Sequence, residues 1–267
     1  DINHGISFAK PCFVRAGDYG DLAECGLVVI AAGANQKPGE TRIELLGRNR
    51  VIMSSIIEHL MAVNQSAVLL IVSNPVDVLT YMAQKMSGLP AGQVIGSGTV
   101  LDTARLKYLV GQHLNVDSRN VHAFIIGEHG DSELAVWSSA NISGVDLADY
   151  CRITGKDDSF GAMQRIYENV RDAAYSIIEG KGATYYGIGM AVRRIAEAIV
   201  RDEHSVLPVS SMISGHYGVD GICLGLPAVV GRNGAESVLD IPLSQDELFQ
   251  LQSSAQKMKE LIDELGD

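Results

Sequence analysis

Three side chains in the middle of the sequence could together hold a carboxylate and move a proton. Asp102 and Arg105 are three residues apart within a helical pattern, so they would share one face of the helix. A planar guanidinium suits a carboxylate ligand, and an aspartate beside a histidine stabilises the charged form of the imidazole. His129 lies between Glu128 and Gly130 after an apolar run, a placement that favours an exposed proton donor or acceptor.

Each of these residues also has a plainer explanation. A lone Asp–Arg pair on a helix is usually a surface ion pair worth about 0–1 kcal/mol. Taken alone, Asp102 and Arg105 favour that interpretation, and a lone histidine such as His129 is usually structural. The functional interpretation depends on whether the fold brings the three residues together with polar groups from other parts of the chain.

Three apolar runs predict buried strands, and each run finishes in polar residues that a protein core would exclude. The runs span residues 27–32, 67–72 and 121–126, and they finish in Gly33-Ala34-Asn35-Gln36, Ser73-Asn74-Pro75 and Gly127-Glu128-His129-Gly130-Asp131. Glycine, asparagine and proline are ordinary turn residues, so any one of these endings carries little weight. If the three strands are parallel, however, the endings meet at one sheet edge, where open α/β sheets bind ligands.

Helical patterns alternate with these runs and predict an α/β fold. The patterns span residues 43–63, 76–87 and 101–114, and a further short strand is predicted at 94–95. Near-continuous apolar strands that are joined by helices indicate a parallel sheet covered on both faces.

The second half of the chain has a different pattern and predicts a separate α+β domain. Two helical patterns, at 159–179 and 184–201, precede three apolar stretches that indicate an antiparallel meander and then a final helix. The pattern changes near residue 97, which gives predicted domains of residues 1–97 and 98–267.

Composition limits the classes of function. The chain has 267 residues, of which 46% are hydrophobic, enough for a large core. Its formal net charge of −11 disfavours nonspecific nucleic-acid binding. No apolar run is long enough to span a bilayer, so we expect no membrane partner. The four cysteines are scattered and no HExxH cluster occurs, so we expect a cytoplasmic protein without a metal site.

Five motifs, in this order and spacing, resemble the lactate/malate dehydrogenase family. They are GANQKPGETR, SNPVD, GSGTVLDTAR, GEHGDSE and GATYYG. The resemblance is closest to bacterial L-lactate dehydrogenases and covers essentially the whole chain. It implies a Rossmann-type NAD-binding sheet followed by an α+β catalytic domain. It also implies a homotetramer that transfers hydride reversibly between NADH and pyruvate to give L-lactate and NAD, the final step of anaerobic glycolysis.

The resemblance assigns roles to the residues introduced above. It implies that His129 gives a proton to the substrate carbonyl, that Asp102 orients and charges His129, and that Arg105 binds the substrate carboxylate. By the same resemblance, Asn74 bonds near the reacting carbonyl, and Thr184 forms part of the substrate wall.

Two residues of the GANQKPGETR motif would complete the substrate site. Arg42 resembles the arginine of a mobile loop that polarises the carbonyl when the loop closes and excludes water. A cation at a helix N-terminus is disfavoured, so we expect Arg42 in the loop and not in the first turn of the next helix. Gln36 stands where malate dehydrogenases have arginine, and a neutral side chain there favours pyruvate over oxaloacetate, whose second carboxylate needs a cation.

Other positions match cofactor and effector contacts of the family. The cofactor contacts would come from the strand ends, the first long helix and the GSG turn: Gly33, Ala34, Ser55, Val72, Ser73, Asn74 and Ser97. Some bacterial members bind fructose 1,6-bisphosphate through an arginine and a histidine. His122 matches that histidine, but Lys107 stands in place of the arginine and lacks its bidentate fork.

The sequence departs from the family at its start. Members begin with a strand, a GxGxxG-type turn, a helix and a second strand, which bind pyrophosphate and the adenine ribose. DINHG matches the helix that follows this unit, so we expect this exact chain to bind NAD poorly and to have little activity. Two alternatives remain: a malate dehydrogenase, which Gln36 disfavours, and a non-catalytic truncated paralogue that serves as an oligomerisation module.

Overall fold

Short helical segments lie at the start of the chain in the computed structural model, which describes residues 2–8, 10–34, 42–156 and 160–264. Helix α1, Ile2–Gly5, is a single turn with no buried residue. Within the described ranges, no helix is long and apolar enough to cross a membrane.

Three short parallel strands carry the first two polar strand ends. Strand β1 (Leu27–Ile30) pairs with β2 (Val68–Ile71), which pairs with β3 (Val94–Gly96). Helix α2 (Arg42–Met61) connects β1 to β2, and α3 (Val76–Ser87) connects β2 to β3. The predicted parallel pairing of these strands is confirmed, and the carboxyl ends of β1 and β2 lie side by side.

The next elements form a second, antiparallel sheet. Helix α4 (Val100–Leu114) leads into β4 (Val121–Ile126), β5 (Leu134–Ile142) and β6 (Val145–Asp146). Strand β5 is antiparallel to β4, and β6 is antiparallel to β5. The prediction that the run at 121–126 continues the parallel sheet was therefore wrong, because an apolar run reports that a strand is buried but not which strand it pairs with.

Four helices follow the second sheet. They are α5 (Leu147–Thr154), α6 (Phe160–Arg171), α7 (Ala173–Lys181) and α8 (Tyr186–Val200). The continuous helical pattern predicted at 159–179 is thus divided between α6 and α7 at Asp172. Apolar periodicity continues across this break, so the sequence pattern does not show where α6 ends and α7 begins.

Three antiparallel strands extend the first sheet and confirm the predicted meander. They are β7 (Ser205–His216), β8 (Val219–Gly231) and β9 (Gly234–Val238). Strand β7 joins β3 where Ser210 pairs with Gly96, so the strand order is β1-β2-β3-β7-β8-β9.

The last helix, α9 (Gln245–Asp263), is anchored at its start by Glu247. Ser244 Oγ accepts a hydrogen bond from the Glu247 backbone, and the Glu247 carboxylate accepts one from the Ser244 backbone. The same carboxylate accepts bonds from the backbone nitrogens of Trp137 and Ser138 at 2.8 and 3.0 Å. This capping box therefore also ties α9 to β5.

The end of β4 returns to the first sheet through one backbone bridge. Gly127 and Gly225, the latter in β8, exchange hydrogen bonds of 2.9 and 3.0 Å. Helices α2, α3 and α9 pack on one face of the first sheet and α8 packs on the other. The bridge therefore brings the segment that contains His129 against a sheet covered on both faces.

Candidate active site

His129 and Asp102 form a close pair at the centre of the candidate site. Asp102 lies in the first turn of α4, and His129 lies in the loop after β4. His129 Nδ1 is 2.6 Å from Asp102 Oδ2, and only 3% of the Asp102 side chain is exposed. Because a carboxylate only accepts hydrogen bonds, Nδ1 carries a hydrogen, and Nε2 is the nitrogen that can exchange a proton.

The environment of the pair holds the imidazole in its charged form. Burial acts to lower the pKa of His129, but the charge and hydrogen bond of Asp102 outweigh burial and raise this pKa to about 9. Burial likewise acts to raise the pKa of Asp102, yet the charges of His129 and Arg105 keep it below its ordinary value. At neutral pH the pair is therefore an imidazolium and a carboxylate.

Arg105 adds a guanidinium to the same group. Its Nη1 lies 2.7 Å from Asp102 Oδ1, and only 16% of the Arg105 side chain is exposed. The two residues share one face of α4 as predicted, but they form a buried pair and not a surface ion pair. A guanidinium has five N–H donors in one plane, so a bond to Asp102 leaves donors for a carboxylate ligand.

Asp77 fixes the loop that carries His129. Asp77 is 2% exposed, and its Oδ2 accepts a hydrogen bond of 2.7 Å from the His129 backbone nitrogen. Burial raises the pKa of Asp77 to about 6. No role was predicted for Asp77 from the sequence, although its place at the end of the SNPVD motif was an available signal.

Glu133 brings a second carboxyl group to the histidine. It is 4% exposed, and its Oε1 has no hydrogen-bond partner among the described residues. Ligand atoms of Asp102, His129 and Glu133 all lie within 4.8 Å of one another. Burial, followed by the charge of Asp102, raises the pKa of Glu133 to about 8. Glu133 was not predicted from the sequence either, because its carboxyl group has an unusual pKa only through burial and the nearby charge of Asp102, which the fold sets.

Asn49 of α2 ties the first two strand ends together. Its Oδ1 accepts a bond of 2.7 Å from the Ala34 backbone nitrogen, and its Nδ2 donates to the Asn74 carbonyl at 3.3 Å. Asn49 is 2% exposed, whereas Asn74 is exposed. An asparagine inside a helical pattern has no distinctive spacing, so no sequence signal pointed to it.

A cleft with a volume of about 510 Å³ joins these groups. Its lining includes Asn74, Asp102, Arg105, His129 and Glu133, together with residues of α7. The structure therefore brings four of the predicted site residues, from three separate segments, to one concave surface. Clefts of this size with a few convergent polar groups are typical small-molecule sites.

Three predicted cofactor positions lie at strand ends. Ser73 is buried, and its Oγ donates to the Ala32 carbonyl at 2.5 Å, which links β2 to the end of β1. Ser97 is buried just after β3, and Val72 is half-buried just after β2. Their positions match the sheet edge that was expected to meet a cofactor.

Two further cofactor positions are accessible. Gly33 is exposed, and a Cβ atom there would make only ordinary contacts of 3.6 Å with Asn49 and Ser73. Ser55 is exposed on α2, where its carbonyl lies 2.7 Å from Nδ1 of His59.

Three other predicted residues, Thr184, His122 and Lys107, are not among the lining residues of the cleft. Thr184 is half-buried in the turn between α7 and α8. His122 is exposed on β4, and Lys107 is partly buried on α4, where burial lowers its pKa. The predicted place of Thr184 at the substrate wall therefore stays a prediction.

The GANQKPGETR motif is only partly described. Gln36 lies outside the described residues, and for Arg42 only the backbone is described. Arg42 is the first residue of α2, so the expectation that it would not occupy the first helical turn was wrong. Glu44 lies in the same turn, and an acidic residue there offsets the unfavourable effect of a cation on the helix dipole.

The fold and the site define an α/β enzyme with a charged histidine in a cleft at the carboxyl ends of parallel strands. The model of the lactate/malate dehydrogenase NAD-binding domain matches residues 1–96, and that of the α/β C-terminal domain of the same family matches residues 99–266. The chain belongs to the lactate/malate dehydrogenase family.

Curated relatives and solved structures agree with this assignment. The L-lactate dehydrogenase of Thermoanaerobacter sp. (strain X514) is 53% identical over 265 residues, which are 99% of this chain and 85% of the relative. That of Acetivibrio thermocellus is 51% identical over 98% of this chain and 83% of the relative.

Two crystal structures have the same fold. A lactate dehydrogenase enzyme from a Medee basin deep-sea metagenome library aligns with a TM-score of 0.95 and 47% identity, over 100% of this chain and 85% of that one. The ligand-bound minor L-lactate dehydrogenase of Enterococcus mundtii aligns with a TM-score of 0.94 and 38% identity, over 98% of this chain and 83% of that one.

The residues at the strand ends fit the nicotinamide end of NAD, the cofactor of the matched domain. Residues 31–33 are small and exposed, and Asn49 holds Ala34 beside Asn74. Small side chains let a planar ring approach the backbone at the carboxyl ends of parallel strands. Asn74 also lines the cleft that contains His129, so a ring held there would face the substrate space.

Proposed function

We propose that this site catalyses the reversible reduction of pyruvate to L-lactate with NADH. The observation that carries the proposal is the buried Asp102–His129 pair, which opens onto the same cleft as Arg105 and Asn74. A cleft with a proton donor and a guanidinium suits a substrate with a carbonyl next to a carboxylate. When bound, NADH supplies the hydride.

His129 handles the proton in this reaction. Its Nδ1 is committed to Asp102, so Nε2 faces the substrate carbonyl, and a pKa of about 9 keeps a proton there at neutral pH. His129 gives this proton to the carbonyl oxygen as the alcohol forms. In the reverse direction the neutral imidazole takes the proton from the hydroxyl group of lactate.

Arg105 and Asn74 bind and orient the substrate. The guanidinium of Arg105 donates two parallel hydrogen bonds to the planar carboxylate of pyruvate. The amide of Asn74, exposed at the end of β2, is in position to bond near the reacting carbonyl. Asp77 and Asn49 act through these residues, because they hold the backbone of His129 and Asn74.

Gln36 and Arg42 complete the proposed site on the basis of sequence alone. A neutral Gln36 accommodates the methyl group of pyruvate, whereas the second carboxylate of oxaloacetate would need a cation. Arg42 polarises the carbonyl when water is excluded. No contact within the described residues favours the malate dehydrogenase alternative or the non-catalytic one.

The cellular setting is also part of the proposal. Resemblance supports a cytoplasmic homotetramer that performs the last step of anaerobic glycolysis. Fructose 1,6-bisphosphate is the proposed activator, with His122 and Lys107 as its contacts. Lys107 neutralises phosphate as a point charge, so we expect weaker activation than an arginine would give.

The decisive experiment compares pyruvate and oxaloacetate as substrates for the purified chain. We expect slow NADH oxidation with pyruvate, because NAD binding by this chain is expected to be weak, and a higher kcat/KM for oxaloacetate relative to pyruvate in Gln36→Arg. Gln256→Arg, an exposed site on α9, is the matched control and should leave the ratio unchanged. A preference for oxaloacetate in the parent chain, or an unchanged ratio of the two kcat/KM values in Gln36→Arg, would overturn the proposal.

A further inference from the structure

A second group of aspartate, histidine and glutamate lies outside the cleft. Asp202 and His204 come from the turn between α8 and β7, and Glu236 comes from β9. One ligand atom from each residue lies within 4.8 Å of the other two. The side chains are 36%, 55% and 26% exposed, so the group is open to solvent ions.

The imidazole of His204 is oriented toward the two carboxylates. Its Nδ1 lies 3.1 Å from the Asp202 carbonyl oxygen, which only accepts, so Nδ1 carries the hydrogen. Nε2 then points at Glu236 Oε2, 3.2 Å away, and at Asp202 Oδ1, 3.9 Å away. The Nε2 lone pair of a neutral ring would repel both carboxylates, so this arrangement needs a cation or a proton between them.

The backbone around the group leaves room for the two carboxylates to converge. A Cβ atom at Gly231 would lie 2.7 Å from Glu236 Oε1 and 3.1 Å from Asp202 Oδ1. The φ of Gly231 is not left-handed, so a Cβ atom there would not strain the backbone but would require the Glu236 carboxylate to shift. Asp202 Oδ1 also accepts a bond of 2.8 Å from the Arg232 backbone nitrogen, which fixes that carboxylate.

We propose that Asp202, His204 and Glu236 bind a divalent transition-metal cation, Zn²⁺ being the best match. One imidazole nitrogen and two carboxylate oxygens are ordinary Zn²⁺ ligands, and three protein ligands leave a position for water. An imidazole ligand favours Zn²⁺ over Mg²⁺ and Ca²⁺, which prefer oxygen alone. Histidine ligands usually donate their other ring N–H to a carbonyl, as Nδ1 of His204 does.

Binding would link two parts of the fold. Glu236 lies in β9, the last strand of the six-stranded sheet, while Asp202 and His204 follow α8. An ion held by all three would clamp this strand to the helix end. Asp202 and His204 are two residues apart, but Glu236 is distant from both in sequence, so the three residues match neither a cysteine pair nor an HExxH motif and no metal site was predicted.

The test is calorimetric titration of the full chain with Zn²⁺ alone. It is performed in a His129→Ala background, because Asp102, His129 and Glu133 form the other such group among the described residues. We expect one Zn²⁺ per chain, and affinity at least about tenfold lower in His204→Ala and in the conservative Glu236→Gln. His216→Ala is the matched control, since His216 also bonds a carboxylate, Asp240, but belongs to neither group.

A spectroscopic readout separates a metal site from an ion pair. Nitrogen-15 NMR of the His204 ring should show a Zn²⁺-dependent shift at Nε2 and little change at Nδ1. In the same His129→Ala background, Zn²⁺ should also raise the Tm, but it should not do so when Glu236→Gln is added. Unchanged Zn²⁺ affinity in both variants, an equal loss in His216→Ala, or a protonated Nε2 at saturating Zn²⁺ would overturn the proposal.

Discussion

Two groups of the same three residue types occupy opposite environments in this molecule. Asp102, His129 and Glu133 lie at the cleft, where the aspartate side chain is 3% exposed. Asp202, His204 and Glu236 lie at the surface, where the aspartate side chain is 36% exposed. In both groups the histidine Nδ1 is bonded to aspartate, through the carboxylate in the first and the backbone carbonyl in the second.

This difference in environment separates two kinds of chemistry. In the buried group, low local polarity strengthens the charge of Asp102 and raises the pKa of His129 to about 9, which suits proton transfer. In the exposed group, solvent screens the charges, and Nε2 together with two carboxylates can receive an ion. Residue type alone therefore does not define either site.

Loss of the imidazole at the cleft should have the largest effect. His129→Asn removes the proton donor, so we expect kcat for pyruvate reduction to fall by about 10²–10⁴-fold. His216→Ala, at an exposed His–Asp pair, should retain turnover. Circular dichroism checks that both variants are folded. Similar turnover in His129→Asn and the parent chain would remove His129 from the mechanism.

The second-largest effect is expected when the buried Asp102 is neutralised, which should lower the pKa of His129. In Asp102→Asn, burial acts on His129 without the charge and hydrogen bond of Asp102, and the charges of Asp77 and Glu133 oppose it only in part, so the pKa of His129 should fall from about 9 toward the ordinary value of 6.5. Histidine titration by NMR measures this directly. The parent chain should lose kcat/KM for pyruvate as pH rises through 9, and the variant should lose it at lower pH. A pKa that stays near 9 would contradict the assigned cause.

The buried Glu133 should make stability depend on pH. Its pKa is raised from 4.5 to about 8, so the native state holds a proton that the unfolded chain releases. The contribution of this proton to the free energy of unfolding is fully present below pH 4.5. It is lost as pH rises through 8, with a slope of up to about 1.4 kcal/mol per pH unit. Denaturant unfolding of Glu133→Gln between pH 5 and 8 should show a flatter slope.

Two other groups contribute in the same direction and set the baseline for that measurement. Asp77 and His129 also have raised pKa values, so a residual decrease of stability with pH is expected in Glu133→Gln. Asp263→Asn, an exposed site on α9, is the control and should keep the parent slope. Identical slopes in the parent chain and Glu133→Gln would show that Glu133 is ionised in the native state.

The smallest effect is expected at the exposed group without metal. In metal-free buffer, His204→Ala should change the free energy of unfolding by no more than about 0.5 kcal/mol, as for most surface substitutions. Chemical denaturation with a chelator present measures this value. A loss of more than about 1 kcal/mol would show that the histidine supports the fold itself, and the two groups would then differ less than proposed.

Much of the fold could be predicted because its signals are local. Apolar runs and helical periodicity identified β1, β2, β3 and the helices between them within a few residues. The partner of β4 could not be predicted, since pairing depends on segments far apart in the chain. Spacing likewise placed Asp102 and Arg105 on one helical face, but did not show that the pair is buried.

The amino-acid sequence contains the family motifs, the alternation of strands and helices, and the residue types available for chemistry at positions 74, 102, 105 and 129. Which of these residues meet depends on how distant segments pack in the folded chain. Tertiary contacts bury Asp102 against His129 and leave His204 exposed to solvent. Hydrogen bonds to Asp77 and Asn49 hold the loops. The physical reason is that charge interactions depend on distance and burial, and both are set by contacts between distant segments.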